Sequence, residues 1–331
     1  MKTGFIQITG VIKNMRFPSV TPWIFLFCMA IFSFGFVQAN PNNDIWLGQD
    51  KIEKEEPAKL EKRWKNKTYR LQTKIERTQI VGAISEILKH INKPDAKLLK
   101  KQVQKIEKSG YRVSEYLGKE GHWLILEAEN NCAGAGSYII RTGKLEKEIV
   151  LQAPHAFFDS DTDIITKKIF NSFPIRAVFF SDYHRYGGKK PHTPSKWDLA
   201  HNKNTLFQDL TRMWLDEKKG TTFIQLHGFG NTYSELTSVF MVVSRGTKKY
   251  QVPFFERFVN TMIKEYSSSK VKVFPISSNI LGGTTNTQAK AIRKKNGKFV
   301  HIEMSRPFRN ELKQSDAALN IFAKMILKAC Y

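Results

Sequence analysis

The sequence predicts a three-layer α/β fold with a mixed, largely parallel central sheet, preceded by a helical N-terminal segment. Three observations carry that prediction. The chain has 331 residues, 41% of them hydrophobic and 12% aromatic, enough apolar material for a large core. From about residue 120 onward, short apolar runs alternate with segments whose apolar residues recur at helical spacing, the pattern of strands joined through helices. Several of those runs end in histidine, aspartate or arginine, and layered α/β sheets gather their functional groups just beyond the carboxyl ends of the strands.

Taken in order, residues 1–39 have the make-up of a secretory signal. Lys2, Lys13 and Arg16 form a basic, acid-free lead, WIFLFCMAIFSFGF (Trp23 to Phe36) is a continuous apolar block, and Val37-Gln38-Ala39 supplies small residues where a signal peptidase cuts. The block is shorter than the roughly 18–20 apolar residues that span a bilayer. The expectation is a cleaved signal and a secreted or periplasmic protein, with a membrane anchor through residues 23–37 as the alternative. Residues 40–118 are expected to form a polar linker containing KIEKEEPAK and then a charged helical segment. In QIVGAISEILKHI, Ile80, Ile84, Ile87, Leu88 and Ile91 fall on one helical face, and Lys93-Pro94 interrupts the pattern.

Residues 119–331 are expected to form the α/β domain. HWLILEAE, GSYIIRTG and KEIVLQAP are bounded by turn residues and predict strands. DIITKKIFNSF then predicts a helix, IRAVFFSDY a strand, NTLFQDLTRMWLDEKK a helix and TTFIQLHGF a buried strand. TSVFMVVSRG, KVKVFPI and KFVHIEMS predict further strands, FFERFVNTMIKEY a helix, and RNELKQSDAALNIFAKMILKAC one long C-terminal helix.

The formal charge of +23 calls for an anionic neighbour such as an envelope polymer, or simply for a solvated basic surface. No RNP, zinc-finger or helix-turn-helix pattern accompanies the basic residues, so nucleic acid is not the expected partner. Cys28 lies in the signal, which leaves Cys132 and Cys330; they form one bridge in an oxidising compartment or stay as two unpaired thiols. No cysteine cluster has zinc spacing, so any metal must be held by histidines and carboxylates.

The chemistry concentrates in and after QAPHAFFDSDT, Gln152 to Thr162. His155 follows one predicted strand, His227 ends a second, Glu303 lies in a third, and Asp182, His184 and Arg185 follow a fourth. A catalytic zinc takes three protein ligands, often two histidines and a carboxylate, and a nearby glutamate can accept a proton from water. His155, Asp159 and His227 are the candidate ligands, Asp161 the alternative carboxylate, and Glu303 the candidate base. Asp163 fits a cap for the helix beginning near Ile164. LGGTTNTQAKAIR, with Thr284, Thr285 and Asn286, is either an anion-binding loop or a plain turn with a helix cap. No Gly-x-Ser-x-Gly elbow and no His-Glu-x-x-His helix occurs.

The order His155-x-x-x-Asp159, then Asp198-Leu199-Ala200-His201-Asn202, then Ile224-Gln225-Leu226-His227, then Glu303 resembles the zinc metallocarboxypeptidase superfamily and its N-formylglutamate amidohydrolase group. The resemblance covers roughly residues 145–310, in order and context rather than close sequence. It implies a zinc-carboxypeptidase-like fold, a bound zinc, Glu303 as the catalytic base and an amide substrate, either a peptide or an acylated amino acid. Two departures stand out. His-x-x-x-Asp replaces the family's His-x-x-Glu, and Ala200-His201 stands where the family has Asn-Arg. A guanidinium clamp is not replaced by an imidazole, so Arg185, Arg306, His201 and Asn202 become the candidates for holding substrate or a developing oxyanion. His184 and His201 are candidates for a proton relay, or are packing histidines. The competing class is a non-catalytic basic protein that keeps the fold and binds an anionic polymer.

Overall fold

The computed structural model describes residues 70–93, 95–118, 121–128, 136–187, 195–230 and 232–330. The expected signal, the polar linker and Cys132 lie outside these residues. No helix among the described residues is long and apolar enough to cross a membrane.

Helix α1 (Lys74–Lys89) opens on a capping box, in which the Thr73 side chain accepts from Glu76 N while Glu76 reaches back to the Thr73 N–H. It buries Ile80, Ala83, Ile84, Ile87 and Leu88. Asp95 caps α2 (Ala96–Glu107), which buries Leu99, Val103 and Ile106. The strands are β1 (Tyr111–Gly118), β2 (Gly121–Ala128), β3 (Ser137–Arg141), β4 (Ile149–Ala153), β5 (Ala177–Phe180), β6 (Thr222–Phe229), β7 (Met241–Ser244), β8 (Val271–Val273) and β9 (Lys298–Ser305). The helices between and after them are α3 (Thr162–Ser172), α4 (Leu206–Glu217), α5 (Pro253–Tyr266), α6 (Thr287–Lys294), α7 (Arg306–Gln314) and α8 (Asp316–Cys330).

The strands of the described residues form one mixed sheet in the order β1-β2-β3-β5-β4-β6-β9-β7-β8. The centre, β5-β4-β6-β9, is parallel; β1, β2 and β3 add on antiparallel at one side, and β7 pairs antiparallel with β9 at the other. Side chains alternate across a sheet. Val150, Phe223 and Phe299 are register partners on one face and join a buried cluster with Ile84 of α1, Val103 of α2, Phe207 and Trp214 of α4, and Ile292 of α6. The opposite face is packed by α3 and α7, with α8 against both and α5 against α8.

Three sequence expectations need correction. The boundary at residue 118 falls inside the sheet: β1, not foreseen as a strand, pairs with β2 along its whole length. Helices α1 and α2 belong to the same core cluster as the sheet, and Arg77 of α1 is paired with Asp209 of α4 at 2.7 Å. The C-terminal helix is two helices, because Ser315 adopts extended backbone between α7 and α8. Of the two alternatives for Cys330, the free thiol is the one found among the described residues. It packs against Thr222 at the start of β6, where burial pushes it up to about 12.

Ile84→Ala should lower unfolding stability by about 2–5 kcal/mol, the usual range for such a core truncation. Because α1 shares the sheet's core, urea unfolding followed by circular dichroism and by tryptophan fluorescence should show one shifted, coincident transition. A separate early transition for the helical segment would contradict this architecture.

Candidate metal centre

The parallel strands deliver their carboxyl ends to one edge of the sheet. The row Val150–Phe223–Phe299 is followed, two residues on, by Gln152–Gln225–His301, and two further on by the pair His227–Glu303. The three rows lie on one face, since the side-chain period is two. The sheet therefore passes from apolar core, through a layer of buried amides, to a polar site within four residues of each strand.

Beyond β4 the chain turns at His155, with Asp159 N–H donating to His155 O at 2.7 Å. That turn brings both side chains of the altered His-x-x-x-Asp spacing to one point. His155 Nδ1 lies 3.4 Å from Asp159 Oδ2, and His227 Nδ1 lies 2.9 Å from the same oxygen. One ligand atom from each of the three residues lies within 4.8 Å of the other two, and all three side chains are buried. Arg309 braces the turn from below: its guanidinium donates to Ser160 O at 2.8 Å and to Met304 O at 2.5 Å. It fits only because residue 228 is glycine, since a Cβ there would lie 2.1 Å from Arg309 Nη1.

The other nitrogen of each histidine is already committed. His155 Nε2 lies 2.8 Å from Asp198 Oδ1, and a carboxylate only accepts, so Nε2 carries the hydrogen. Asp198 is held far below the usual carboxylate range. Burial opposes its ionisation, but bonds from His155 and His201 and the charge of Arg185 outweigh burial. His227 Nε2 lies 2.9 Å from Gln225 Oε1. Burial, reinforced by His301, pushes His227 down to about 4, so the ring is neutral near pH 7. Where Nε2 is the donor on both rings, both Nδ1 lone pairs point toward one carboxylate oxygen. That arrangement is repulsive unless a cation lies among them. Two imidazoles and a carboxylate are a fitting donor set for zinc, and the Nε2–H bonds to Asp198 and Gln225 are the outer-shell support that such ligands use. Arg185 answers the same demand from one side, donating from Nη1 to His155 Nδ1 at 3.2 Å. Burial opposes protonation of His155, but the neighbouring carboxylates Asp159 and Asp198 raise its pKa above the ordinary value.

The remaining candidates fall into place around this point. Asp161 is turned away to Lys313, 3.1 Å distant, so Asp159 is the carboxylate in the group. The helix cap expected at Asp163 is not formed: α3 begins at Thr162, Asp161 occupies the cap position without a cap bond, and Asp163 pairs with Lys167. Arg185 grips Asp198 through Nε at 3.1 Å and Nη2, with its guanidinium over the rings of Phe158 and Tyr186. His201 donates to Asp198 through Nδ1 and meets Thr285 Oγ1 at 3.0 Å through Nε2. His155, Asp198 and His201 make a second group of possible ligands, but Asp198 there already accepts from Arg185 and both histidines. His184 packs against Phe158 and Tyr186.

Asn202 is spent on its own loop, bonded to Lys196 O and Asn204 N, and so is not turned toward a substrate. Arg306 is exposed at the first position of α7, and Thr284 is exposed as well. Asn286 caps α6 and bonds Gln225, so the glycine-threonine stretch is a turn with a cap that also braces the site. Glu303, opposite His227 in the register, accepts from His301 Nε2 at 3.2 Å. Asp198, Gln225 and His301 are the site residues that sequence reasoning left without a role. The period-two spacing of Gln225 with His227, and of His301 with Glu303, is the signal that was there to find.

The chain matches no protein-family model and no curated protein sequence. Its fold is similar to those of several solved structures. A gene product from Agrobacterium tumefaciens is 12% identical, with 59% of this chain and 93% of that one covered and a TM-score of 0.40. The LapA aminopeptidase of Legionella pneumophila is 11% identical, with 88% and 78% covered and a TM-score of 0.36. A metallo-carboxypeptidase from Pseudomonas aeruginosa, in complex with (2-guanidinoethylmercapto)succinic acid, is 10% identical, with 71% and 70% covered and a TM-score of 0.35. These are likenesses of fold, and none of them carries an activity over to this chain.

The metal-free protein should lose stability as pH falls from 6.5 toward 4. The folded value of His227 lies below the ordinary 6.5, so the unfolded chain binds the proton first, at up to about 1.4 kcal/mol per pH unit over that window. Asp159 and Asp198 are depressed, so their contribution is lost below the ordinary carboxylate range. His155 is raised and acts in the opposite sense above 6.5, where its contribution is lost as pH rises. Urea midpoints of chelator-treated protein between pH 7 and pH 4 check this, and a flat profile contradicts it.

Proposed function

We propose that this is an exported zinc-dependent hydrolase that cleaves an amide bond in a peptide or an N-acylated amino acid. The observation that carries the proposal is the convergence of His155 Nδ1, His227 Nδ1 and Asp159 Oδ2, with the Nε2 of each ring already engaged elsewhere. These three residues would hold the zinc. When bound, zinc would lower the pKa of a water molecule and polarise the scissile carbonyl.

The remaining roles belong to the chain's own residues. Glu303, across the register from His227, accepts a proton from the attacking water and then delivers it to the leaving nitrogen. His301 steadies the carboxylate through its bond to Oε1. Arg185, partly exposed beside His155, supplies N–H donors for the negative charge that develops on the carbonyl oxygen. His201, bonded to Asp198, is the other candidate for this task. Asp198 holds the His155 ring and Arg185 together, so the metal ligand and the oxyanion donor are set by one carboxylate. Nothing equivalent to an Asn-Arg clamp faces the site from Ala200-His201, which argues for a substrate whose recognition does not depend on a free C-terminal carboxylate.

The protein as isolated should bind one zinc per chain, and both His155→Ala and His227→Ala should lose it, as measured by metal analysis after dialysis. Full occupancy in both variants would refute the proposal. Glu303→Gln should keep the zinc and lose at least about a hundredfold in turnover on whichever member of a peptide and N-acyl-amino-acid panel the unaltered protein hydrolyses. Undiminished turnover in that variant would remove Glu303 from its role.

A further inference from the structure

Beneath the site lies a layer of polar side chains that the hydrolytic chemistry does not use. Gln152, Gln225, Gln288 and Thr211 are fully buried, and Asn286 nearly so. We infer that these residues form a directional amide relay that fixes His227 as its Nε2–H tautomer and thereby makes Nδ1 its metal-binding nitrogen. The inference rests on the metal-centre reading above and names the positioning residues behind it.

The direction of the relay follows from groups that have no choice. Leu199 O can only accept, and Gln288 Nε2 lies 2.8 Å from it, so Gln288 turns its Oε1 toward Gln225, 3.3 Å away. The Ala289 N–H can only donate, to Asn286 Oδ1 at 2.8 Å, so Asn286 turns its Nδ2 toward Gln225, 2.5 Å away. The Thr211 hydroxyl gives its hydrogen to Phe207 O at 2.8 Å. It therefore accepts from Gln152 Nε2 at 2.9 Å, leaving Gln152 Oε1 to face Gln225 at 3.0 Å.

Three independent neighbours thus impose the same orientation on Gln225. Its Nε2 donates to Gln152 and Gln288, and its Oε1 accepts from Asn286. That oxygen is the atom 2.9 Å from His227 Nε2, so Nε2 must bring the hydrogen. Turning Gln225 over would set donor against donor and acceptor against acceptor in a buried layer, where each unmet group costs its full desolvation. Without the relay, a neutral His227 would place its hydrogen on Nδ1 and bond the Asp159 carboxylate. The lone pair offered to a metal would then be lost. The backbone groups of Leu199 and Ala289 are the fixed points, and the chain of bonds carries their polarity to the metal centre.

The test begins with the unaltered, chelator-treated, 15N-labelled protein, so no variant needs to fold. Nitrogen–proton correlation spectra of the imidazoles, with His227 assigned by its loss in His227→Ala, should show the Nε2–H tautomer. The Nδ1–H tautomer, or an even mixture, would overturn the inference. Gln225→Leu should shift His227 toward Nδ1–H and weaken zinc binding 10- to 100-fold in competition with a chromogenic chelator, the usual cost of losing such a partner. Thr211→Val, a change three hydrogen bonds from His227, should move the tautomer in the same direction in protein that still unfolds in one cooperative transition. Unaltered zinc affinity and an unaltered tautomer in both variants would overturn the inference. Zinc retained in His227→Ala would refute the metal centre itself, whereas zinc lost there with an Nδ1–H tautomer in the parent protein would refute the relay alone.

Discussion

One oxygen atom organises this molecule. Asp159 Oδ2 is approached by Nδ1 of His155 and Nδ1 of His227, and each imidazole is bound on its far side to an acceptor. A neutral imidazole has one hydrogen to give, and here it is given away from the centre. What remains is a buried carboxylate facing two lone pairs, a combination that water-free surroundings do not tolerate without positive charge. The guanidinium of Arg185 at the margin, donating to His155 Nδ1, meets part of that requirement.

The fold is arranged to keep the oxygen where it is. Parallel pairing of β4, β6 and β9 fixes a register in which apolar, amide and site rows succeed one another along the same face. A one-residue slip in β6 would move Gln225 and His227 to the opposite face together. Arg309 ties the 155–160 turn to the ends of β6 and β9. Gly283, at φ +58°, lets its loop lie flat on the His301 ring, where a Cβ would sit 3.0 Å from two ring atoms. Helices α4 and α6 contribute Thr211 and Gln288 to the amide layer, so α1, which packs on α4, supports the site at one remove.

Much of this was legible in the sequence, for identifiable reasons. A single histidine after a strand is usually structural, but several apolar runs ending in polar residues stood out together. Asp159 was legible through its spacing from His155, and the choice against Asp161 needed the distant Lys313, which no local pattern reveals. The capping role assigned to Asp163 failed because Asp161 takes the left-handed position before α3, with its carboxylate drawn to that lysine. Strand β1 was missed because YRVSEYLG carries charge at Arg112 and Glu115 and lacks a long apolar run. The break at Ser315 was missed because helical periodicity continues through it. Gln152, Gln225 and His301 were hidden inside otherwise apolar strands. Their meaning depends on which strands are neighbours, and that is tertiary information.

The central claim concerns atoms, so the most direct measurement is one that sees them. Crystals of the zinc-loaded protein, measured on both sides of the zinc absorption edge, should give one strong anomalous peak. It should lie about 2.0–2.2 Å from Nδ1 of His155, Nδ1 of His227 and a carboxylate oxygen of Asp159, with Nε2 of the two rings still on Asp198 and Gln225. A peak bound through the Nε2 atoms, a peak at Asp198 and His201 instead, or no peak among these residues would contradict the account.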